Sequence, residues 1–393
     1  MENPARTSSR IFRRRPVYLV ILIPLLLIAA SRVWRHAPVV VAQQAEYATK
    51  TPTFTGSSGK LQQTIIVPTL DSPLPTGRNV IWCSSFQLAW NELRDKAIGA
   101  PLQIAGAQEI ADRLNAAKSS ASDLDAKSVY AAGGWVDKGI RETIRKDMAA
   151  KFPSHTLPDF NDYTDGMLAY SYLTAGVPFK FPFRQVHEGI TFTDSQGVQS
   201  QVAGFGLWQG YLEPYKDLRG QIEVLYARRD ENANSCQIAE CAIDLCRHSQ
   251  PYQVIVAKVE PEGSLAETLE RVVAEIKASE KWPHTSLSGR FNETDQLRLP
   301  EMFCRIDHRF DGLIGKVVAN TNPPMPVVEA IQTIEFHLDR CGAALESESM
   351  VAVRCSPRYF NFDRPFLVYM QKRGAERPFF VMWVDNAELL VRR

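Results

Sequence analysis

The stretch Phe360-Asn-Phe-Asp-Arg-Pro-Phe366, then Leu367 to Met370, a charged turn from Gln371 to Arg377, and Phe379-Phe-Val-Met-Trp-Val-Asp385-Asn386 governs the reading of the whole chain. Two apolar runs of strand length flank one polar turn, the pattern of a hairpin buried on both faces. Pro365 stands at the entry to the first strand, where a missing N–H is tolerated.

Working upstream, Phe366 to Met370 and Phe379 to Val384 end a mostly β region with strands at Ile190 to Thr193, Gln221 to Ala227 and Tyr252 to Val259. One clear helix, Leu265 to Ile276, interrupts it. Further upstream, Asn79-Val-Ile-Trp-Cys83 is a short strand, and Ser84 or Ser85 caps a helix with Phe86, Ala89, Trp90 and Leu93 at helical spacing. Gly99-Ala-Pro101 breaks that helix. A second helix carries Ile104, Ala107, Ile110, Ala111 and Leu114. Ser128 to Ala132 is strand-like, Gly133-Gly134 turns, and Ile140 to Ala150 is helical. A hydrophobic run, Met167 to Val177, follows. Helices first and antiparallel-looking strands after them define an α+β class.

Composition narrows the function classes. The chain has 393 residues, 45% hydrophobic content and a formal net charge of +1. It can bury a substantial core, and no global field recruits nucleic acid. There is no GxSxG elbow, HExxH or GxGxxG, and Gly56-Ser-Ser-Gly-Lys60 is too short for a phosphate-binding loop. Seven cysteines are present. Cys236, Cys241, Cys246 and His248 match no common zinc spacing, and Cys241 and Cys246 sit in an apolar stretch that suits core or disulfide cysteines. No catalytic residues, metal, cofactor or small-molecule substrate are expected, and the chain is not read as an enzyme.

The C-terminal stretch resembles the ending of the serpins, a family of conformationally trapping protease inhibitors. Other matches follow in order. Asn79-Val-Ile-Trp-Cys-Ser-Ser resembles the family's opening strand and helix. Ser128 to Lys138 resembles the second strand of its large sheet. Tyr170 to Phe183, ending Phe179-Lys-Phe-Pro-Phe, is similar to its Asn-Ala-x-Tyr-Phe-Lys-Gly-x-Trp motif, with Ser171 for the Asn and Phe179 for the Trp. Tyr215 to Tyr226 and Tyr252 to Leu265 resemble a core strand pair split by an insertion with three cysteines, and Leu299-Pro-Glu-Met-Phe303 resembles another strand. The resemblance implies a serpin-like α+β fold over residues 79–393, with a large mixed β-sheet, helices on one side and C-terminal β-barrel-like strands. It also implies that the helix crossing the large sheet is lost, because only Phe152 to Gly166 joins the segments it would connect.

In that family a protease cleaves an exposed loop, which then inserts into the large sheet as a new strand. The matching segment here runs from Gly342 to Cys355, with Gly342, Ala343 and Ala344 at the hinge. Period two puts Ala343, Leu345, Ser347, Ser349, Val351 and Val353 on one uncharged face. Burying an unpaired carboxylate there would oppose insertion by roughly several kcal/mol. Counting back from the closing strand places the scissile bond at Arg354–Cys355, whereas counting from Gly342 places it at Ser356–Pro357. Arg340-Cys341 replaces the family's acidic hinge pair. The resemblance implies an inhibitor of a serine or cysteine protease. A noninhibitory binding or structural ectodomain is the alternative.

At the other end, Arg10, Arg13, Arg14 and Arg15 precede an uncharged, almost wholly apolar run from Pro16 to Ala30. An Arg cluster before such a run stays cytoplasmic, so the remainder faces the other side. The run is short against the ~20 residues of a spanning helix. It fits a signal peptide with Ala29-Ala30-Ser31 as cleavage site, whereas Arg32, Trp34 and Arg35 suit an anchor. Residues 1–35 are therefore a cytoplasmic tip with a signal anchor or signal peptide, and residues 36–78, rich in Thr, Ser, Gln, Pro and Gly, are a spacer. The expected location is the cell membrane, single-pass with the domain outside, or the secreted state.

Overall fold

The computed structural model describes residues 52–175, 177, 179–208, 212, 215–229, 236–281, 287–341 and 357–393. The basic tip and the apolar run 16–30 lie outside them. No helix among the described residues is long and apolar enough to cross a membrane.

The C-terminal hairpin occupies the interior of an eight-stranded sheet. Its order is β12 (Gly289–Arg290), β9 (Glu223–Arg229), β10 (Ile238–Asp244), β11 (Tyr252–Lys258), β18 (Phe366–Lys372), β19 (Pro378–Val384), β3 (Asn79–Cys83) and β2 (Thr64–Val67). Every residue of β19 is buried. On one face Phe380 stacks on Phe336 at 4.6 Å. The other face, with Leu367, Tyr369, Val381 and Trp383, packs against Leu265, Leu269 and Val272 of helix α5 (Leu265–Lys281). Two-sided burial explains why these strands are continuous apolar runs rather than alternating ones. Each such side chain contributes about 1.5–3 kcal/mol of transfer free energy. The three-cysteine segment is no insertion: its β10 is hydrogen-bonded to β9 and to β11, as an interior strand of this sheet.

The large sheet runs β5 (Val129–Trp135), β6 (Met167–Ala175), β16 (Met325–Leu338), β14 (Met302–Arg309) and β1 (Phe54–Ser57). Short strands β15 (Val317–Val318) and β4 (Ile104–Ala105) extend it from the start of β16. Three expectations change here. The folded unit starts before Asn79, because β1 pairs with β14 and β2 pairs with β3, so the proposed spacer is folded from Phe54 onward. Ile104 belongs to a strand rather than a helix. Gly133-Gly134 is no turn but lies inside β5: a Cβ on Gly133 would stand 2.8 Å from the Ala89 carbonyl oxygen, so the glycine lets helix α1 (Ser84–Glu92) approach the strand. The wider turn that continues α1 ends at Gly99 with φ 75°, a left-handed conformation suited to glycine.

Helix α2 (Gln108–Ala116) packs beside α1. Helix α3 (Ile140–Lys151) covers the opposite, outer face of the large sheet, where Ile144 and Met148 meet Leu168, Tyr170, Tyr172, Val328 and Ile331. Residues 152–166 hold no second helix, but the expectation that the helix crossing the large sheet is lost is not met, because α3 itself lies on the outer face directly before β6. Helix α4 (Lys216–Gln221) leads into β9. A third sheet has the order β17 (Tyr359–Asn361), β13 (Gln296–Pro300), β8 (Gln199–Leu207) and β7 (Arg184–Thr193). The chain passes from it to the large sheet at Pro300-Glu301, where Gln185 Nε2 donates to Glu301 at 2.7 Å.

Candidate functional site

The candidate site is the long connection from β16 to β17 together with the sheet it leaves. Gly342, Ala343, Ala344, Leu345, Ser347, Ser349, Val351, Val353, Arg354 and Cys355 lie outside the described residues. Their two attachments do not. At departure, Phe183 N–H donates to the Arg340 carbonyl at 2.8 Å, and Cys341 N–H donates to Asp339 Oδ1 at 2.7 Å. At return, Arg358 is buried on Asp295: its Nε donates to Oδ2 at 3.0 Å and its backbone N–H to Oδ1 at 3.0 Å. The Arg358 guanidinium also donates to the carbonyls of Leu287 and Arg290. An ion pair this buried is sustained by filling its remaining donors, and losing either partner strands a charge. The connection is thus fixed at both ends, on two different sheets.

The sheet below has one interior pair of parallel strands. β6 and β16 run side by side from Met167↔Val327 to Ala175↔Phe336. On the inner face of this seam Ser171 and Gln332 are directly opposite. Gln332 Nε2 donates to the Cys83 carbonyl at 3.1 Å and to Ser85 Oγ at 2.8 Å. Ser84 Oγ, Ser171 Oγ and Gln332 Oε1 are buried there with no hydrogen-bond partner. Unsatisfied buried polar atoms cost on the order of 1–3 kcal/mol each, so the middle of the seam is its weak point.

The outer face is polar across three strands. Thr333 Oγ1 of β16 donates to Asp307 of β14 at 2.7 Å. Tyr172 hydroxyl donates to Glu335 across the seam at 3.3 Å. His155 lies over both tyrosines: Arg305 donates to its Nδ1 at 3.2 Å, leaving Nε2–H to donate to Tyr170 hydroxyl at 3.1 Å. Burial, and then the Arg305 charge, push the His155 pKa down to about 4, so the ring is neutral at pH 7.

Sequence reasoning located the connection but not this surround. Ser171 stood out only as a replacement for an Asn. Gln332 carried no local signal, because Val327–Phe336 also holds Glu329, Thr333 and Glu335. Three core cysteines take no part: burial raises Cys83 to about 11 and Cys241 and Cys304 to about 12, which keeps them protonated. Among the described residues no group of three His, Cys, Asp or Glu could hold a metal.

This three-sheet arrangement, with a parallel seam in the large sheet and a long connection leaving it, is a divergent serpin-like α+β fold. Among solved structures the chain is similar to mouse protein-Z dependent protease inhibitor, with 12% identity over 78% of this chain and 91% of that one and a TM-score of 0.49. It is also similar to protease nexin-1 with heparin (12% identity, 78% and 92% coverage, TM-score 0.46). A further similar structure is Serpin48 of the insect Tenebrio molitor (11% identity, 78% and 92% coverage, TM-score 0.45). No family model matches the chain, and no curated protein matches it.

Proposed function

We propose that the chain is an exported or membrane-tethered inhibitor of a trypsin-like serine protease, or of a cysteine protease, and not itself an enzyme. Loop insertion at the β6–β16 seam would carry the inhibition. One observation carries the reading: β6 and β16 are parallel neighbours, and the segment leaving the end of β16 can return antiparallel to both. Its uncharged alternate face, Ala343 through Val353, suits burial on one side. Insertion would also bring new backbone N–H and C=O groups to the unpaired atoms of Ser171 and Gln332.

In the covalent step the protease serine oxygen attacks the Arg354 carbonyl carbon. The bond to Cys355 nitrogen breaks, the serine proton passes to that leaving amine, and Arg354 remains as an ester on the protease. The Arg354 guanidinium would pair with a buried carboxylate in the protease's specificity pocket. Arg340-Cys341 in place of acidic hinge residues favours the second reading, a noninhibitory binding ectodomain. So does a loop about two residues short, roughly 7 Å of extended chain.

Denaturing gels after incubation with trypsin separate the two readings. An inhibitor gives a stable complex that is lost in Arg354→Ala, and Ala343→Arg converts it to a cleaved substrate because a charge must be desolvated on the inserting face. Plain cleavage of the parent, with no complex with any serine or cysteine protease, would leave only the binding module. For tethering, protease shaving of intact cells should remove the C-terminal domain; protection without a secreted form counts against export.

A further inference from the structure

β5 is the end strand of the large sheet on the side away from β14. It is hydrogen-bonded to β6 and, among the described residues, to no other strand. Which of its backbone groups are spent on β6 follows from the two ends of that ladder. The Ser128 carbonyl accepts the Thr174 N–H at 3.1 Å, and Val136 N–H donates to the Gly166 carbonyl at 3.0 Å. Directions alternate along an antiparallel pair, so Tyr130, Ala132 and Gly134 also turn their groups toward β6. Val129, Ala131, Gly133 and Trp135 turn theirs outward. The Val129 carbonyl agrees with this parity, because it accepts Lys151 Nζ of α3 at 2.6 Å. The outward N–H and C=O groups of Ala131 and Gly133 have no partner among the described residues, and both residues are partly exposed.

An open edge of this kind is ordinarily blunted by a charge or a proline. Val129-Tyr-Ala-Ala-Gly-Gly-Trp135 has neither. The charges stand just beyond its ends, Asp125 and Lys127 before it and Asp137 and Lys138 after it. Lys127 and Asp137 are exposed, and neither side chain has an ion partner among the described residues.

We propose that β5 is a dimer strand: a second copy of this chain adds its own β5 antiparallel across the open edge, about a two-fold axis at Ala132. Setting Ala131 opposite Gly133 of the second copy forms two hydrogen bonds in each of the two symmetry-related pairs. Ala132 then meets its counterpart at the axis in a non-hydrogen-bonded pair, where Cα atoms approach to about 4.5 Å and small side chains fit. Lys151 on the Val129 carbonyl and Lys138 N–H on the Trp135 carbonyl confine the shared ladder to this central stretch. Charge selects the register. Continued outward, Lys127 of each copy falls opposite Asp137 of the other. Slipping by two residues one way puts Asp125 opposite Asp137, and slipping the other way parts Lys127 from Asp137. Like charges directly opposite are destabilising. A two-fold contact closes on itself, so the assembly stops at two. Neither the connection 342–356 nor the β6–β16 seam takes part, and the dimer stands whether or not the loop inserts.

The test is sedimentation of the full chain in detergent over a dilution series, with hydrogen exchange at its two ends. The parent is expected to pass from monomer to dimer. The amides of Ala131 and Gly133 should be protected only where the dimer prevails, whereas those of Ala132 and Gly134 are slow throughout. A monomer at every concentration, or a dimer without that odd–even pattern, overturns the proposal. Ala131→Pro removes an outward N–H and leaves the β6 ladder whole, so it should weaken the dimer roughly tenfold. A dimer of unchanged strength rules out this edge. Lys127→Glu and Asp137→Lys should each weaken it about threefold, and the double exchange should restore it. No recovery in the double variant overturns the register and the proposal with it. Should Ala131→Pro fail to fold, the charge exchange decides alone. Trypsin cleavage of the loop is expected to leave the dimer unchanged; its loss on cleavage would assign the contact to the connection instead.

Discussion

The closing hairpin and the outer face of the large sheet are both interior surfaces, but they are held in opposite ways. β18 and β19 are locked by apolar contact on two sides, with Phe380 on Phe336 and Trp383 under α5. The outer face adds to the apolar cover of α3 and the rings of Phe152 and Phe160 a set of hydrogen bonds and ion pairs that join β6, β16 and β14 to Phe152–Asn161. Apolar packing is indifferent to which partner fills the space, provided that volume is kept. A polar network has particular partners and can be unmade one bond at a time. The part of the molecule proposed to move is the part held by separable bonds.

The sharpest break in that comparison is Phe380→Ala. It should destabilise the protein by about 3–5 kcal/mol in urea unfolding, independent of salt and pH, because it opens a cavity between two sheets. A loss near 1 kcal/mol would mean that the hairpin is no rigid base. Next comes Tyr172→Phe, which keeps the ring against Phe152 and His155 and removes only the hydroxyl bond to Glu335. The expected cost is about 0.5–1.5 kcal/mol, with faster hydrogen exchange confined to the seam. Exchange rising equally in the hairpin would erase the distinction between the regions.

The third break is by pH. His155 and His308 are both pushed down to about 4, chiefly by burial, and His308 is bonded to Ser58 at 2.7 Å. An unfolded imidazole titrates near ~6.5. Between those values the unfolded chain binds protons that the folded chain does not. Stability from these two groups is therefore full above about 6.5, falls as pH drops toward 4, and levels below. Thermal midpoints of His155→Gln and His308→Gln should be flatter than the parent over that window; parallel curves would contradict neutral burial.

How much of this the sequence disclosed follows the same division. The hairpin was readable because burial on both faces writes an unbroken apolar run, and Pro365 marks its start. Strand Asn79–Cys83 was readable for the same reason, and the helix read as Leu265–Ile276 by its one apolar face, although it runs on to Lys281. Gly133-Gly134 misled because glycine marks close approach as well as turns, and only the proximity of Ala89 separates the two. Ile238–Asp244 passed for part of an insertion because Cys236, Cys241 and Cys246 lie in and beside it, although Cys241–Asp244 is buried on both faces. The polar contacts over the outer face were invisible: Arg305, Arg309, Glu329 and Asn161 come from three distant segments, and nothing local distinguishes these polar side chains from solvated ones.

β3 carries a consequence for biosynthesis. Its only antiparallel neighbour is β19, while β2 supports it from the other side. Residues 79–83 emerge early from the ribosome, and their partner at Pro378–Val384 follows about 300 residues later, some 15–60 s at roughly 5–20 residues per second. Through that interval one edge of β3 has no ladder to join, and an apolar strand of this kind is prone to wrong pairings. The nascent chain therefore needs shielding at Asn79–Cys83 until translation is nearly done. A ribosome-stalled chain ending before Pro378 should remain bound to a chaperone that a chain reaching Arg393 releases.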